Sequence, residues 1–140
     1  MRKLIFILSL MFTVTLSPNV VMSKTVKYED LVTRKGLYYR KSSDVPFTGK
    51  TTGKTPGTFK NGKKDGPFVD YWDNGQLESQ GTYKNGKMDG PYVSYHDNGQ
   101  FRAKGTLKDG KREGPWVVYK KDGTVWEKYT GTFKNGVKVK

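Results

Sequence analysis

The sequence predicts an all-β protein, built as an antiparallel meander of short hairpins. Three observations carry this. First, a six-residue block returns in register as Gly57-Thr58-Phe59-Lys60-Asn61-Gly62, Gly81-Thr82-Tyr83-Lys84-Asn85-Gly86, Gly105-Thr106-Leu107-Lys108-Asp109-Gly110 and Gly131-Thr132-Phe133-Lys134-Asn135-Gly136, with starts 24, 24 and 26 residues apart. A fixed period of this size marks units too small to bury a core alone, which must stack on their neighbours. Second, Asn-Gly pairs such as Asn61-Gly62 and Asn74-Gly75 supply the positive φ angles that tight hairpin turns require. Third, the segments between them are short and rich in aromatic and β-branched residues, which suits strands.

Residues 1–23 read as a targeting segment. Arg2 and Lys3 precede a largely apolar run from Leu4 to Leu16, Pro18-Asn19 breaks it, and Val21-Met22-Ser23 leads to a cleavage point ahead of Lys24. The run is short for a membrane span. A cleaved secretory signal is therefore expected, with the mature chain in the periplasm, on the outer surface or secreted; an uncleaved N-terminal membrane anchor is the alternative. The chain has no cysteine, which excludes a lipid-modified N-terminal cysteine, disulfides and thiolate metal sites.

Residues 24–56 form an N-terminal cap, followed by repeats over 57–80, 81–104 and 105–130 and a truncated repeat over 131–140. Within 57–80, Phe68-Val69-Asp70-Tyr71-Trp72 is one strand, and Gln76 to Lys84 is the return strand after the Asn74-Gly75 turn. Phe68, Tyr92 and Trp116 are equivalent, as are Val69, Val93 and Val117, and Tyr71, Tyr95 and Tyr119. Residues two apart share a face of a strand, so Val and Tyr line one side and the preceding aromatic points to the other. Phe59, Tyr83, Leu107 and Phe133 form a further apolar row, and such rows stabilise a sheet. Pro67, Pro91 and Pro115 lack an N–H and are expected to start strands.

The block Gly57 to Leu77 resembles the bacterial variant of the MORN repeat, which reads as Gly, aromatic, Asn-Gly-Lys, Gly-x-aromatic, Tyr, Asn-Gly-x-Leu. The resemblance covers 57–140, with three full copies and a truncated fourth. Upstream, Gly36-Leu37-Tyr38-Tyr39 and Pro46-Phe47-Thr48-Gly49 are similar to the degenerate first unit of such exported proteins. There the Asn-Gly turn is missing, with Lys41-Ser42-Ser43-Asp44 in its place. The resemblance implies a single-layer, twisted sheet of consecutive hairpins and a binding or scaffolding role without catalysis or cofactor. Eukaryotic members are linked to membranes and phospholipids, and many bacterial members are labelled antitoxins of toxin–antitoxin systems.

Little else in the chain carries chemistry. His96 is the only histidine, and its counterparts Trp72 and Lys120 make the position read as unconstrained. Asp65, Asp89 and Glu113 recur beside turns, where turn hydrogen bonding explains them. Asp73-Asn74-Gly75 and Asp97-Asn98-Gly99 lack the spaced ligands and closing Glu of a calcium loop. No catalytic residue, cofactor site or metal site is expected, and the protein is read as a non-enzyme.

Two surfaces remain. A single sheet leaves one face partly open unless residues 24–56 fold over it, so Tyr71, Tyr95, Tyr119, Trp72 and Trp116 form the candidate aromatic face for a partner protein. The net charge of +13 falls to about +11 when Arg2 and Lys3 leave with the signal, which favours anionic partners. Lys60, Lys84, Lys108 and Lys134, with Lys63, Lys87 and Lys111, form candidate anion-binding rows beside the hairpin tips. Their plainer reading is a solvated rim that protects sheet edges. The expected partner is another envelope or secreted protein, with an antitoxin or immunity role as a special case. The alternative is an anionic lipid or polysaccharide, and export makes nucleic acid the least favoured.

Overall fold

The computed structural model describes residues 24–53 and 55–140, so the expected targeting segment lies outside the described residues. The described residues contain fourteen strands and two single 3-10 turns, Tyr28–Asp30 and Glu127–Tyr129, and no α-helix. The strands are β1 (Lys24–Lys27), β2 (Leu31–Arg34), β3 (Leu37–Arg40), β4 (Gly49–Thr52), β5 (Gly57–Lys60), β6 (Lys63–Lys64), β7 (Gly66–Tyr71), β8 (Leu77–Lys84), β9 (Lys87–Met88), β10 (Gly90–Tyr95), β11 (Phe101–Lys108), β12 (Lys111–Val118), β13 (Gly131–Lys134) and β14 (Val137–Lys138). Strands β7, β8, β10, β11, β12, β13 and β14 follow one another across one antiparallel sheet, with β9 paired to β8. This is the hairpin meander that the repeat implied. A second sheet orders β1, β4, β5 and β6, and β2 pairs β3 as a separate hairpin. The one departure from antiparallel pairing among these ladders is β1, which lies parallel to β4.

The pairing register is the same in each unit. Gly66 faces Tyr83 and Phe68 faces Gly81; Gly90 faces Leu107 and Tyr92 faces Gly105; Gly114 faces Phe133 and Trp116 faces Gly131. The β4–β5 pair repeats it, with Gly49 facing Phe59 and Thr51 facing Gly57. Each large side chain thus lies across a glycine on the neighbouring strand. A methyl group on Gly105 would sit 2.4 Å from Trp116 Cδ2, and one on Gly81 2.9 Å from Phe68 Cε1. These glycines are needed for room rather than for turn conformation. Phe59, Phe68, Trp116 and Phe133 are buried on this face, which is called the Phe68 face below.

The Asn-Gly signals divide into two turn types. Asn61-Gly62, Asn85-Gly86, Asp109-Gly110 and Asn135-Gly136 have positive φ at both residues, as a two-residue type I′ turn requires. At Asn74-Gly75 and Asn98-Gly99 only the glycine is left-handed. There the amide of Gly75 reaches the Trp72 carbonyl at 2.8 Å, closing a type I turn. The expectation that both signals mark the same tight turn is therefore corrected. In the first unit a turn does fall at Lys41-Ser42, closed by the Ser43 amide on the Arg40 carbonyl at 3.0 Å, and the sequence reading overlooked Lys35-Gly36, with φ of 49° and 77°, a fifth two-residue turn with positive φ at both residues, joining β2 to β3.

Residues 24–52 extend the array and cover part of one face. Tyr38 packs edge-on against Phe59 at 5.0 Å, and Phe47 stands 5.7 Å from the same ring. Phe59 is consequently 1% exposed, the most deeply enclosed aromatic residue described. Thr51 takes the place of the ring carried by Phe68 and its counterparts, and its hydroxyl donates to the carbonyl of Thr55 at 3.0 Å.

Candidate functional site

Two sets of hydrogen bonds clamp each unit to the next, and they set which side chains remain free for a partner. At one sheet margin the type I′ turn of each repeat docks on the preceding unit. The amides of Gly62, Gly86, Gly110 and Gly136 donate to the carbonyls of Phe47, Lys64, Met88 and Arg112 at 2.7–2.9 Å. The preceding turn residue donates its own amide to a side-chain oxygen: Asn61 to Thr48, Asn85 to Asp65, Asp109 to Asp89 and Asn135 to Glu113, at 2.8–3.2 Å. The recurring carboxylates are acceptors for the next turn, and Thr48 stands in for them in the first unit.

At the other margin the type I turns stack. Asn74 accepts from the Gln76 amide at 2.9 Å and donates its side-chain N–H to the Asp97 carbonyl at 3.0 Å. Asn98 does the same with Gln100 and Lys121. Trp72 Nε1 donates to the Tyr95 carbonyl at 3.3 Å, and His96 Nε2 pairs with the Tyr119 carbonyl at 3.0 Å. A carbonyl only accepts, so His96 must carry its proton on Nε2. The position read as unconstrained thus does one job in two units: it presents a ring N–H to the next repeat. Beside it, Lys121 lies 2.7 Å from Asp97, and this hydrogen bond holds the Asp97 carboxyl below the usual carboxylate range.

The five residues proposed as one aromatic face are separated. Tyr71, Tyr95 and Tyr119 lie on the face opposite Phe68. Tyr95 stacks on Phe101 at 5.0 Å, and Phe101 stands 6.3 Å from Tyr119. Tyr71 pairs with Leu77 and Tyr119 with Val125, continuing the strip. Tyr71 and Phe101 are each 45% exposed. Trp116 is on the Phe68 face, 3% exposed, with Nε1 donating to the Thr106 carbonyl at 2.8 Å, and Trp72 is spent on the inter-repeat clamp. Alternation alone places Trp116 away from Tyr119. Phe101 was missed because it sits just after a type I turn, at the position of Leu77 and Val125, where no aromatic recurs.

The lysines lie at the hairpin tips and are exposed, apart from half-buried Lys64. Lys60 faces Lys63, Lys84 faces Lys87 and Lys108 faces Lys111 directly across the turn, while Lys134 faces Val137. Like charges in direct cross-strand register destabilise a sheet. Among the described residues no group of three His, Cys, Asp or Glu side chains is placed to hold a metal, and no helix is long and apolar enough to cross a membrane.

Fold and surface define a class: a β-hairpin repeat array held by neighbour-to-neighbour hydrogen bonds, with one aromatic strip open to solvent. Comparison with known families places the repeats within it. The MORN repeat variant matches residues 64–85 and 88–109, and the MORN repeat matches 57–67, 80–91 and 129–139. Over these segments the chain is similar to MORN repeats. No curated protein matches the sequence.

Proposed function

We propose that this protein is an exported, non-catalytic scaffold of the bacterial envelope that binds another protein through the Tyr71 face. MORN repeats are often protein- or lipid-binding modules and are generally non-catalytic. The observation that carries the reading is the strip of Tyr71, Tyr95, Phe101 and Tyr119, aromatic on every unit and open at Tyr71 and Phe101. Exposed contiguous aromatic surface marks interaction sites, and tyrosine offers large area at low entropic cost. An immunity or antitoxin role is the case in which the partner is an exported toxin.

The test is cross-linked capture from intact cells with a C-terminal tag, comparing the native protein with the triple variant Tyr71→Ser, Tyr95→Ser, Tyr119→Ser. One envelope or secreted protein recovered only with the native sequence supports the reading; equal recovery with both ends it. The paired lysines at three tips favour a second reading, attachment to anionic lipid or polysaccharide. Exposed charges act over about 10 Å at 0.1 M salt, so such attachment is lost as ionic strength rises, and an aromatic interface persists.

A further inference from the structure

The tyrosines of the Tyr71 face stand at a regular spacing, and that spacing discriminates between ligand conformations. Tyr71 ends β7, Tyr95 ends β10 and Tyr119 directly follows β12, with β8 and β11 lying between them in the sheet. Each tyrosine is therefore two strands from the next. Neighbouring strands lie ~4.8 Å apart, so the tyrosines repeat at about 9.6 Å. The intervening strands keep the strip continuous. Phe101 stands 5.0 Å from Tyr95 and 6.3 Å from Tyr119, and Leu77 pairs with Tyr71.

A bound chain that runs along this strip crosses the strands and must return a side chain to it once per unit. A polyproline II helix advances about 9.3 Å per turn of three residues. An extended strand returns to one face about every 6.8 Å, and an α-helix turns about every 5.4 Å. From Tyr71 to Tyr119 the polyproline turn drifts by about 0.6 Å, against about 2.4 Å for alternate turns of an α-helix. The polyproline period fits this strip, and the strand period does not.

The polar groups agree with the spacing. The hydroxyls of Tyr71, Tyr95 and Tyr119 hold no hydrogen bond among the described residues. A tyrosine hydroxyl donates one hydrogen bond, and a polyproline II chain, which has no internal hydrogen bonds, presents free carbonyls to accept it. Lys104, with Nζ 5.4 Å from the Phe101 ring centroid, places a further donor beside the strip.

We propose that the Tyr71 face takes a proline-rich segment of the partner in the polyproline II conformation, with a proline at every third position packed on one tyrosine ring. This rests on the reading of that face as a protein-binding surface and adds the chemistry of the partner. Docking of such segments on aromatic surfaces draws on a backbone already ordered before binding.

The test uses two peptide libraries displayed on arrays and probed with the full chain. One is fixed as Pro-x-x-Pro-x-x-Pro with every x randomised, and the other spaces the same prolines every fourth residue. The first library is expected to bind at least tenfold better. The affinity of its best members should fall at least tenfold in Tyr71→Ser and at least threefold in Tyr119→Phe, which keeps the ring and removes the hydroxyl. It should stay within twofold in Lys84→Glu, at the lysine margin. Equal binding of the two libraries, or binding that Tyr71→Ser leaves unchanged, overturns the proposal. If neither library binds while capture of a partner from cells still depends on the three tyrosines, the proline-rich ligand is overturned and the protein-binding face stands. If capture is also independent of the tyrosines, both fall.

Discussion

Single glycines decide how closely this sheet packs. Gly105 lies under Trp116, and an added methyl would meet the indole at 2.4 Å, while Gly57 faces Thr51 and an added methyl would lie 3.8 Å from its nearest neighbours. Gly105→Ala is expected to destabilise by about 1–3 kcal/mol as an overpacking change, whereas Gly57→Ala stays within about 0.5 kcal/mol of native or stabilises slightly. Urea unfolding of the two variants checks the contrast. A second prediction concerns Tyr28. Its hydroxyl donates to the Tyr38 hydroxyl at 3.4 Å, and that bond, with burial, pushes its pKa up to about 12. The sign follows from linkage: a raised pKa contributes stability that is complete below pH 10 and is lost as pH rises toward about 12. Tyr38→Phe should bring the Tyr28 ring's titration down toward 10, read from its ring resonances by NMR.

At the scale of the element, each Asn-Gly or Asp-Gly type I′ turn is satisfied from outside itself. Its two amides are donors left over by the tight turn, and the preceding unit supplies a carbonyl and either a carboxylate or, for Asn61, the Thr48 hydroxyl. Asp89→Ala removes the acceptor for the Asp109 amide. A cost of about 0.5–1.5 kcal/mol is expected, since the bond is exposed. The amide of Asp109 should then exchange faster with solvent than that of Asn135, whose partner Glu113 is untouched. Asp89→Asn, which keeps a side-chain carbonyl, should show less of both effects. Amide exchange resolved by NMR measures them residue by residue.

Across the whole molecule the clamps stop together. Asn74 and Asn98 donate to the next unit, but their counterpart Asp122 has no N–H and accepts from Thr124 at 2.9 Å instead. The ring donors Trp72 and His96 give way to Lys120, and the acceptors Asp65, Asp89 and Glu113 give way to Val139, which is 56% exposed. These three side-chain clamps are therefore absent from residues 120–140. The final hairpin still covers Trp116 through β13. Deleting residues 131–140 should therefore shift tryptophan emission to the red and lower the protection of β12 before that of β7, because stacked units depend on their neighbours. Fluorescence and hydrogen exchange of the truncated chain check both parts.

Much of this was legible in the residues themselves. Periodicity, Asn-Gly pairs and two-residue alternation determined the hairpins, the meander, and which of Val69, Phe68 and Tyr71 share a side, because each is a local rule of backbone sterics and strand geometry. The MORN resemblance also came from local pattern, and family comparison matches the same repeats. The tertiary structure decided the rest. It showed that Lys35-Gly36 makes a turn, since a lysine carries no turn signal and takes positive φ only where surrounding contacts hold it there. It turned Asn74 from a turn former into a clamp, and gave His96 the same N–H role as Trp72, because the acceptor lies 23 residues away. It split Trp116 from the tyrosines. Those outcomes depend on which carbonyl or ring a neighbouring unit places nearby, and a repeat states its own geometry but not what its neighbour leaves uncovered.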